Sequence, residues 1–200
     1  IHNKTVLEYS IDEFNKNKDI DNIIITCKES EIESINEIIY KTRSLKPIRT
    51  VVGGKTRKES GYNSINSTDS DIVIIHDGAR PMIKQNYISN SIKEMENFKG
   101  VTIGVKSKDT IKIADSSGII QSTTNRSNTW IIQTPQCFDR LTLLKAHESV
   151  KNDESITDDC MVLESLGIPV KIIPGDYTNI KLTTYDDLSL VNGFLKDIFD

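Results

Sequence analysis

The chain reads IRTVVGGKTRKESGYNSINSTDSDIVIIH from Ile48 to His76. Both ends of this stretch are short β-branched apolar runs, and the part between Lys58 and Ile65 has the spacing of a helix. A strand, a helix and a second strand in this order form a βαβ unit, whose two strands run parallel because the helix returns the chain to its starting end of the sheet. We therefore predict that the fold contains a parallel sheet.

The same alternation extends outward from this unit in both directions. Further predicted helices cover residues 5–14, 30–40, 84–98, 141–150, 158–166 and 184–199, and further strands cover 22–26, 101–105 and 170–173. Strands that are almost continuously apolar are typical of parallel sheets covered by helices on both faces. We predict an α/β fold with a Rossmann-like, mostly parallel sheet flanked by helices, which binds ligands at the carboxyl ends of its strands.

Length and charge narrow the class of protein. The 200 residues carry 25 basic and 29 acidic side chains, a net charge of −4, and 36% of the residues are hydrophobic. This length suits one domain, residues 1–200, and no apolar run approaches the ~20 residues of a membrane span. The acidic balance predicts no nucleic acid and no membrane partner, and three widely spaced cysteines indicate a cytoplasmic protein.

One segment, residues 105–128, interrupts the alternation of strands and helices. Two isoleucine-containing stretches flank the sequence Asp-Ser-Ser-Gly that ends at Gly118, which predicts a β-hairpin with a glycine-containing turn. Such an insertion packs its isoleucines either on its own domain, as a small lid, or on a second subunit, as a dimerisation arm. We predict the arm and a homodimer, because strict alternation turns some of these isoleucines away from the domain.

Paired glycines, Gly53 and Gly54, follow the first strand of the βαβ unit. They imitate the end of a P-loop, but that motif requires a glycine five places before the second one, where Arg49 stands. The pair is therefore either a plain turn or a place where backbone N–H groups approach a ligand closely.

The second strand of the unit ends at His76 and leads into Asp77-Gly78-Ala79-Arg80. At the carboxyl edge of the sheet, Asp77 could bind Mg²⁺ and Arg80 a phosphate, or the two could form a local salt bridge. The position of His76 at the end of an apolar strand favours a hydrogen-bonded structural histidine over a general base.

A third candidate region lies before the last predicted helix. Lys181 stands where a strand ends, so its compact charge either projects into the same crevice or remains in solvent. One helix earlier, Asp158 and Asp159 follow Thr157, which favours helix capping over a pair of metal ligands.

Seven stretches, taken together, resemble the 2-C-methyl-D-erythritol 4-phosphate cytidylyltransferase family within the nucleotidyltransferases. They stand in family order and cover nearly the whole chain: residues 52–60 (VGGKTRKES), 73–81 (VIIHDGARP), 108–112 (KDTIK), 125–126 (NR), 133–136 (QTPQ), 156–159 (ITDD) and 175–183 (GDYTNIKLT). Seven ordered blocks are far more specific than any single motif.

The resemblance implies that CTP reacts with methylerythritol phosphate and that pyrophosphate leaves, with Mg²⁺ or another divalent cation as cofactor. A phosphate that attacks the α-phosphorus of CTP approaches another anion, so this reaction needs cations more than it needs a general base. The alternatives are a ribitol-phosphate or other pentitol-phosphate cytidylyltransferase and a catalytically inactive nucleotide-binding module. Gly78-Ala79 and Lys108 stand where the pentitol enzymes usually carry Ser-Val and Val, which favours methylerythritol phosphate.

The resemblance also implies roles for the residues at matching positions. Lys181, Asp77 and Arg80 would be catalytic, with Asp77 also the metal ligand. The nucleotide would be held by Gly53, Gly54, Lys55, Ser60, Gly78 and Ala79. The polyol phosphate would be held by Thr110, Thr134, Thr157 and Arg126, the last of them from the neighbouring subunit.

Two departures accompany the resemblance. The family's N-terminal strand and Gly-rich loop, which carries a catalytic Arg and Lys, precede the first helix, and residues 1–200 do not include them. We therefore expect a single nucleotidyltransferase domain that lacks these two parts. Lys55 stands where an acidic residue is common and Gly78 where alanine is usual, so the contacts to cytosine are expected to depart from the family pattern.

Overall fold

The computed structural model describes residues 1, 3–151, 153 and 155–199. Its helices are α1 (Val6–Lys16), α2 (Ile32–Thr42), α3 (Arg57–Asn66), α4 (Gln85–Glu94), α5 (Arg140–Ser149), α6 (Asp159–Glu164) and α7 (Tyr185–Phe199). Its strands are β1 (Ile23–Cys27), β2 (Ile48–Val52), β3 (Ile72–Ile75), β4 (Gly100–Lys106), β5 (Lys112–Ala114), β6 (Ile120–Thr123), β7 (Trp130–Asp139) and β8 (Val170–Pro174). Within these residues, no helix combines the length and the apolar character needed to cross a bilayer.

The main sheet has the strand order β3-β7-β4-β8. β4 and β8 are parallel, whereas β7 runs antiparallel to both β3 and β4, so β3, β4 and β8 share one direction. β1 and β2 form a second, parallel pair. The predicted α/β fold with helices around a mostly parallel sheet is confirmed, and β7 is its reversed strand.

β7 is also the strand that the sequence pattern did not predict. Its buried centre contains Gln133, Thr134 and Gln136, which interrupt the apolar run expected of a strand between two neighbours. These three side chains form hydrogen bonds inside the fold, which removes most of the cost of burying them. The polar residues that break the apolar pattern of β7 are therefore the ones that form hydrogen bonds inside the fold.

Apolar side chains cover both faces of the main sheet. One cluster contains Ile88 of α4 and Val101 of β4, and the other contains Leu143 of α5 and Phe138 of β7. Cys137 belongs to the first cluster although it is next to Phe138, because successive residues of a strand point to opposite faces. With both faces covered, the ends of the strands are the part of the sheet left for ligands.

A groove of about 1430 Å³ lies between β1 and β3. Its lining includes Ile25 of β1, Ile74 of β3 and Phe14 of α1. At the carboxyl ends of the same strands, the lining also includes Gly54 and Asp77. The groove therefore connects an apolar interior with the edge of the sheet at which a ligand is expected.

The insertion at residues 105–128 forms the predicted hairpin, in which β5 pairs with β6 in antiparallel register. Its isoleucines do not pack on the domain, since Ile113, Ile119 and Ile120 are 54%, 62% and 59% exposed. The structure therefore does not show the lid alternative. An exposed apolar arm is the feature on which the prediction of a dimer depends.

Candidate active site

The charged residues expected at the site meet beyond the carboxyl end of β3. Asp77 Oδ2 lies 3.1 Å from Lys181 Nζ and 3.3 Å from Arg80 Nε. The Asp77 and Arg80 side chains are 23% and 11% exposed, whereas that of Lys181 is 46% exposed. These three residues, the charge cluster, are therefore anchored in the fold on one side and open to a ligand on the other.

Burial and ion pairing act in opposite directions on the charge cluster. Burial disfavours the ionised form of Asp77, but Lys181 and Arg80 outweigh it, so the pKa of Asp77 lies below its ordinary value. Burial also lowers the pKa of Arg80, which still stays charged because arginine starts far above neutrality. One carboxylate and two cations leave an excess of positive charge, which favours a phosphate ligand.

Two hydrogen bonds bring Lys181 to the charge cluster from a distant part of the sequence. Leu182 N donates to the carbonyl of Ala79 at 2.8 Å, and Arg80 Nη1 donates to the carbonyl of Asn179 at 2.8 Å. The loop after β8 is thereby fastened to the loop after β3. Of the two alternatives for Lys181, the structure shows the one inside the crevice.

The Gly53-Gly54 loop is a tight contact with α3 rather than an open turn. A Cβ on Gly53 would lie 2.9 Å from Ser60 Oγ, and a Cβ on Gly54 would lie 2.2 Å from Glu59 Cγ. Gly54 N donates to Ser60 Oγ at 3.0 Å, so the first turns of α3 close the loop. Lys55 N donates to the Glu59 carboxylate at 2.7 Å, which places an acid beside the position where the family pattern commonly has one.

The candidates for nucleotide binding are concentrated in the groove between β1 and β3. Five of the six line it: Gly53, Gly54, Lys55, Ser60 and Gly78. The sixth, Ala79, does not line the groove, and its carbonyl binds Leu182 N. A Cβ on Gly78 would lie 3.2 Å from Leu7 Cδ1, so α1 restricts the size of the residue at this position.

Thr134 is the one polyol-phosphate candidate that lies against the charge cluster. It is 5% exposed, and its Oγ1 accepts a hydrogen bond from Asp77 N at 3.0 Å. Its Oγ1 also lies 2.9 Å from His76 Nδ1, while His76 Nε2 lies 3.2 Å from the carbonyl oxygen of Arg80. The prediction that His76 is a hydrogen-bonded structural histidine is therefore confirmed.

The other polyol-phosphate candidates lie on the surface: Thr110, Thr157 and Arg126. Arg126 binds the carbonyl of Lys108 at the base of the hairpin, and Thr157 Oγ1 contacts Met161 Sδ at 3.1 Å. No hydrogen bond within the described part of the chain joins these three to Asp77. A single chain therefore brings together only part of the predicted set.

Comparison with known proteins agrees with this arrangement. Residues 1–197 match the family described as 2-C-methyl-D-erythritol 4-phosphate cytidylyltransferase. The chain belongs to this family. Two relatives of that name are 39% identical over 201 residues (Clostridium botulinum strain 657; 99% of this chain, 88% of the relative) and 42% identical over 199 residues (Clostridium acetobutylicum; 98% and 87%).

Solved structures place the fold in the same family. The 4-diphosphocytidyl-2C-methyl-D-erythritol synthase of Anaerococcus prevotii is 33% identical and superposes with a TM-score of 0.89 over 96% of this chain and 89% of its own. The Francisella tularensis 2-C-methyl-D-erythritol 4-phosphate cytidylyltransferase is 28% identical, with a TM-score of 0.81 over 95% of this chain and 88% of its own. The prediction of a CTP-dependent nucleotidyltransferase is confirmed.

Sequence reasoning missed two polar residues of this cytidylyltransferase. Asn179 is 0% exposed, and its Nδ2 donates to the carbonyl of Thr134 at 3.0 Å. Gln133 Nε2 donates to the carbonyl of Asp176 at 2.9 Å. The available signal was a polar residue inside β7 and another two positions before Lys181.

A buried carboxylate with two polar partners was also missed. Asp159 is 1% exposed, and its two oxygens lie 2.9 Å from Arg57 Nη2 and 3.0 Å from His147 Nε2, which joins α6 to α3 and α5. Burial opposes ionisation of Asp159, but His147 and Arg57 outweigh it, so its pKa is lowered. Asp158 accepts from Met161 N at 2.9 Å, which confirms the helix cap at this residue.

The site can hold a divalent cation only with help from a ligand. Among the described residues, no three His, Cys, Asp or Glu side chains are grouped in a way that could hold a metal. The two cations of the charge cluster engage Asp77 Oδ2, which leaves Oδ1 for another partner. Since Mg²⁺ is commonly held by one or two carboxylates together with substrate phosphates, this donor set fits it.

Proposed function

We propose that this cytidylyltransferase transfers the cytidylyl group of CTP to 2-C-methyl-D-erythritol 4-phosphate. An oxygen of the polyol phosphate attacks the α-phosphorus, the bond from that phosphorus to the oxygen leading to the β-phosphate breaks, and pyrophosphate leaves. The observation that carries the proposal is the charge cluster of Asp77, Arg80 and Lys181 beside a glycine loop. Fixed cations suit a reaction between two anions, since they stabilise the charge of the transition state.

The two cations have different tasks in this proposal. Arg80 is largely buried and uses Nε and Nη1 within the fold, so its Nη2 is the part that can bind a phosphate. Lys181 is more exposed, and its mobile ammonium group can follow the charge as it develops on the transferred phosphoryl group. Asp77 holds both cations on one carboxylate oxygen.

Mg²⁺ or another divalent cation is the proposed cofactor. When bound, it supplies a Lewis acid that neutralises phosphate charge. Asp77 would be its ligand from the described chain, through Oδ1. The low pKa of Asp77 supports this task, because a hard cation binds the ionised carboxylate.

The carboxyl end of the groove between β1 and β3 is the proposed nucleotide site. The Gly53-Gly54 loop lines this end of the groove, and Ser60 holds the shape of that loop by accepting a hydrogen bond from Gly54 N.

A homodimer would complete the site for the polyol phosphate. The exposed isoleucines of the hairpin support this inference, because an apolar surface of this kind gains stability when a second subunit covers it. Arg126 lies at the base of the hairpin, away from the charge cluster of its own chain. In the proposed dimer, Arg126 reaches the polyol phosphate bound by the neighbouring subunit, together with Thr110, Thr134 and Thr157.

The cytoplasm is the proposed location. Cys27, Cys137 and Cys160 are free thiols, which fits a reducing compartment. The net charge of −4 supports small anionic substrates held in a local pocket rather than nucleic acid or lipid partners.

A pyrophosphate-release assay on the protein expressed from its complete gene tests the proposal. CTP is offered with a panel of polyol phosphates, and the other nucleoside triphosphates are offered with the preferred acceptor. We expect the fastest release with CTP and methylerythritol phosphate. Preference for ribitol phosphate would assign the chain to the pentitol enzymes, and no release with any acceptor would leave a nucleotide-binding module.

A further inference from the structure

Arg80 of the charge cluster and three residues beside the cluster form a closed circuit of hydrogen bonds, which we call the site ring: His76, Thr134, Asn179 and Arg80. His76 joins Thr134 Oγ1, at 2.9 Å, to the carbonyl oxygen of Arg80, at 3.2 Å. Asn179 Nδ2 donates to the Thr134 carbonyl at 3.0 Å, and the Asn179 carbonyl accepts from Arg80 Nη1 at 2.8 Å. The ring therefore links strand β7 with the loops that follow β3 and β8.

The ring determines where His76 carries its proton. A carbonyl oxygen can only accept, so His76 Nε2 carries the hydrogen that is donated to Arg80. Nδ1 of the neutral imidazole then accepts from the Thr134 hydroxyl, whose oxygen accepts from Asp77 N at 3.0 Å. His76 thus orients the Thr134 hydroxyl and, through it, the backbone of Asp77.

Asn179 restrains the loop that carries Lys181. Asn179 is 0% exposed and is held through both its side chain and its carbonyl. Three residues later, Leu182 N donates to the carbonyl of Ala79 at 2.8 Å. The backbone of Lys181 is therefore tied down on both sides while its ammonium group reaches Asp77 at 3.1 Å.

We propose that His76 and Asn179 are positioning residues that hold Arg80, Asp77 and Lys181 in the geometry needed for catalysis. Arg80 and Lys181 share one carboxylate oxygen and repel each other, so their separation has to be imposed by the surrounding fold. The site ring imposes it from two sides. The inference rests on the proposed function, because it assigns the ring a purpose in the same reaction.

The chain offers a matched control for a buried asparagine that serves structure alone. Asn17 is 3% exposed, and its Nδ2 donates to Gln85 Oε1 at 3.1 Å and to Ser89 Oγ at 3.0 Å. Asn179 Nδ2 likewise has two acceptors, the carbonyl of Thr134 at 3.0 Å and Gln133 Oε1 at 3.5 Å. Asn17→Ala and Asn179→Ala therefore remove the same atoms. Only Asn179→Ala removes a hydrogen bond of the site ring, because the Asn17 side chain bonds to α4 and to Asp19 N.

The kinetic test compares these two variants in the full-length enzyme. We expect Asn179→Ala to lower kcat about 10- to 100-fold, with KM for CTP changed less than about threefold. Asn17→Ala should lower the melting temperature by a similar amount and leave kcat unchanged. Equal kcat values in the two variants would overturn the proposal, because the site ring would then be a scaffold without influence on the reaction.

Two His76 variants keep the test available if Asn179→Ala does not fold. His76→Gln can place an amide nitrogen near the position of Nε2 and keep the bond to Arg80, whereas His76→Asn is too short to do so. We expect His76→Gln to retain several times more kcat than His76→Asn. Identical losses in both variants would contradict the role of the Arg80 bond.

Nitrogen NMR of the His76 ring gives a measurement that does not depend on turnover. We expect the wild-type protein to show the neutral tautomer protonated at Nε2, and Asn179→Ala to show a mixture of tautomers. A wild-type ring protonated at Nδ1 would overturn the proposal even if the enzyme is active. The expected tautomer without any pyrophosphate release would instead overturn the proposed function, and the catalytic purpose of the ring with it.

Discussion

The two halves of the active site are built in different ways. The half that contains the charge cluster is formed by partly or fully buried groups of one chain, held by the site ring. The half that would bind the polyol phosphate through Thr110, Thr157 and Arg126 is exposed and has no hydrogen bond to Asp77 within the described residues. Fixed charges need no reorganisation during the reaction, whereas exposed side chains lose conformational entropy when a ligand orders them. Under the proposed function, the catalytic groups would be held in place before substrates bind, whereas the groups that recognise the acceptor would become ordered only when it binds.

The largest expected effect is in the preorganised half. Lys181→Ala should lower kcat by about 10²–10³ with little change in substrate affinity, because a cation directed at the transition state acts mainly on that state. Stopped-flow or steady-state pyrophosphate release measures it. Lys99→Ala is the control, since Lys99 forms an exposed ion pair at 2.8 Å with Asp139. A Lys181→Ala enzyme with the kcat of the control would refute the assigned role.

Burial of His76 should also give the preorganised half a pH-dependent stability. The folded pKa of His76, about 4, lies below its ordinary value of 6.5, so the unfolded chain binds more protons between these values. The free energy of unfolding should therefore fall as the pH decreases from 6.5 to about 4, by at most about 3 kcal/mol. The loss should stay below this limit because His76 is only partly buried.

Denaturant unfolding over this pH range measures the effect. His76→Gln, which has no titrating group, should be less dependent on pH than the wild-type protein in this range. If the free energy of unfolding depends on pH equally in the two proteins, the pKa of His76 is not lowered in the folded state.

A smaller effect is expected at Asp77, the proposed metal ligand. Asp77→Asn should raise the Mg²⁺ concentration for half-maximal activity by about tenfold, because an amide is a poorer ligand for a hard cation than a carboxylate. Arg80→Lys should also lower activity, since a point charge replaces a planar fork. A Mg²⁺ titration of Asp77→Asn that matches the wild-type curve would leave Asp77 with the salt bridge alone.

The smallest expected effect is a partial recovery of activity in mixed dimers. It tests whether the exposed half of one site is supplied by the neighbouring subunit. Arg126→Gln and Lys181→Ala chains, each inactive alone, are mixed under conditions of subunit exchange. If the sites are shared, each heterodimer has one site with both lesions and one with neither, so about half of its sites should recover. Absence of recovery after demonstrated exchange would place Arg126 in the site of its own chain or in none.

Much of the site could be predicted because strand ends are visible in the sequence. Asp77 and Arg80 follow one apolar strand, Lys181 follows another, and parallel strands bring their carboxyl ends to one edge. β7 escaped prediction because Gln133, Thr134 and Gln136 hide its apolar character. The chain from Arg57 to Asp159 and His147 escaped because each of these residues, taken alone, is compatible with a solvated surface.

By itself, the sequence determined the alternation of helices and strands, the hairpin, the family and the three charged residues of the cluster. These follow from short-range periodicity and from residue types at strand ends, which do not depend on the rest of the chain. Only the tertiary structure decided that β7 is reversed and that the site ring closes. His76 and Thr134 are 58 positions apart, and Arg80 and Asn179 are 99 apart. Hydrogen bonds over such separations depend on where the whole fold places each group, because their strength falls steeply with distance and angle.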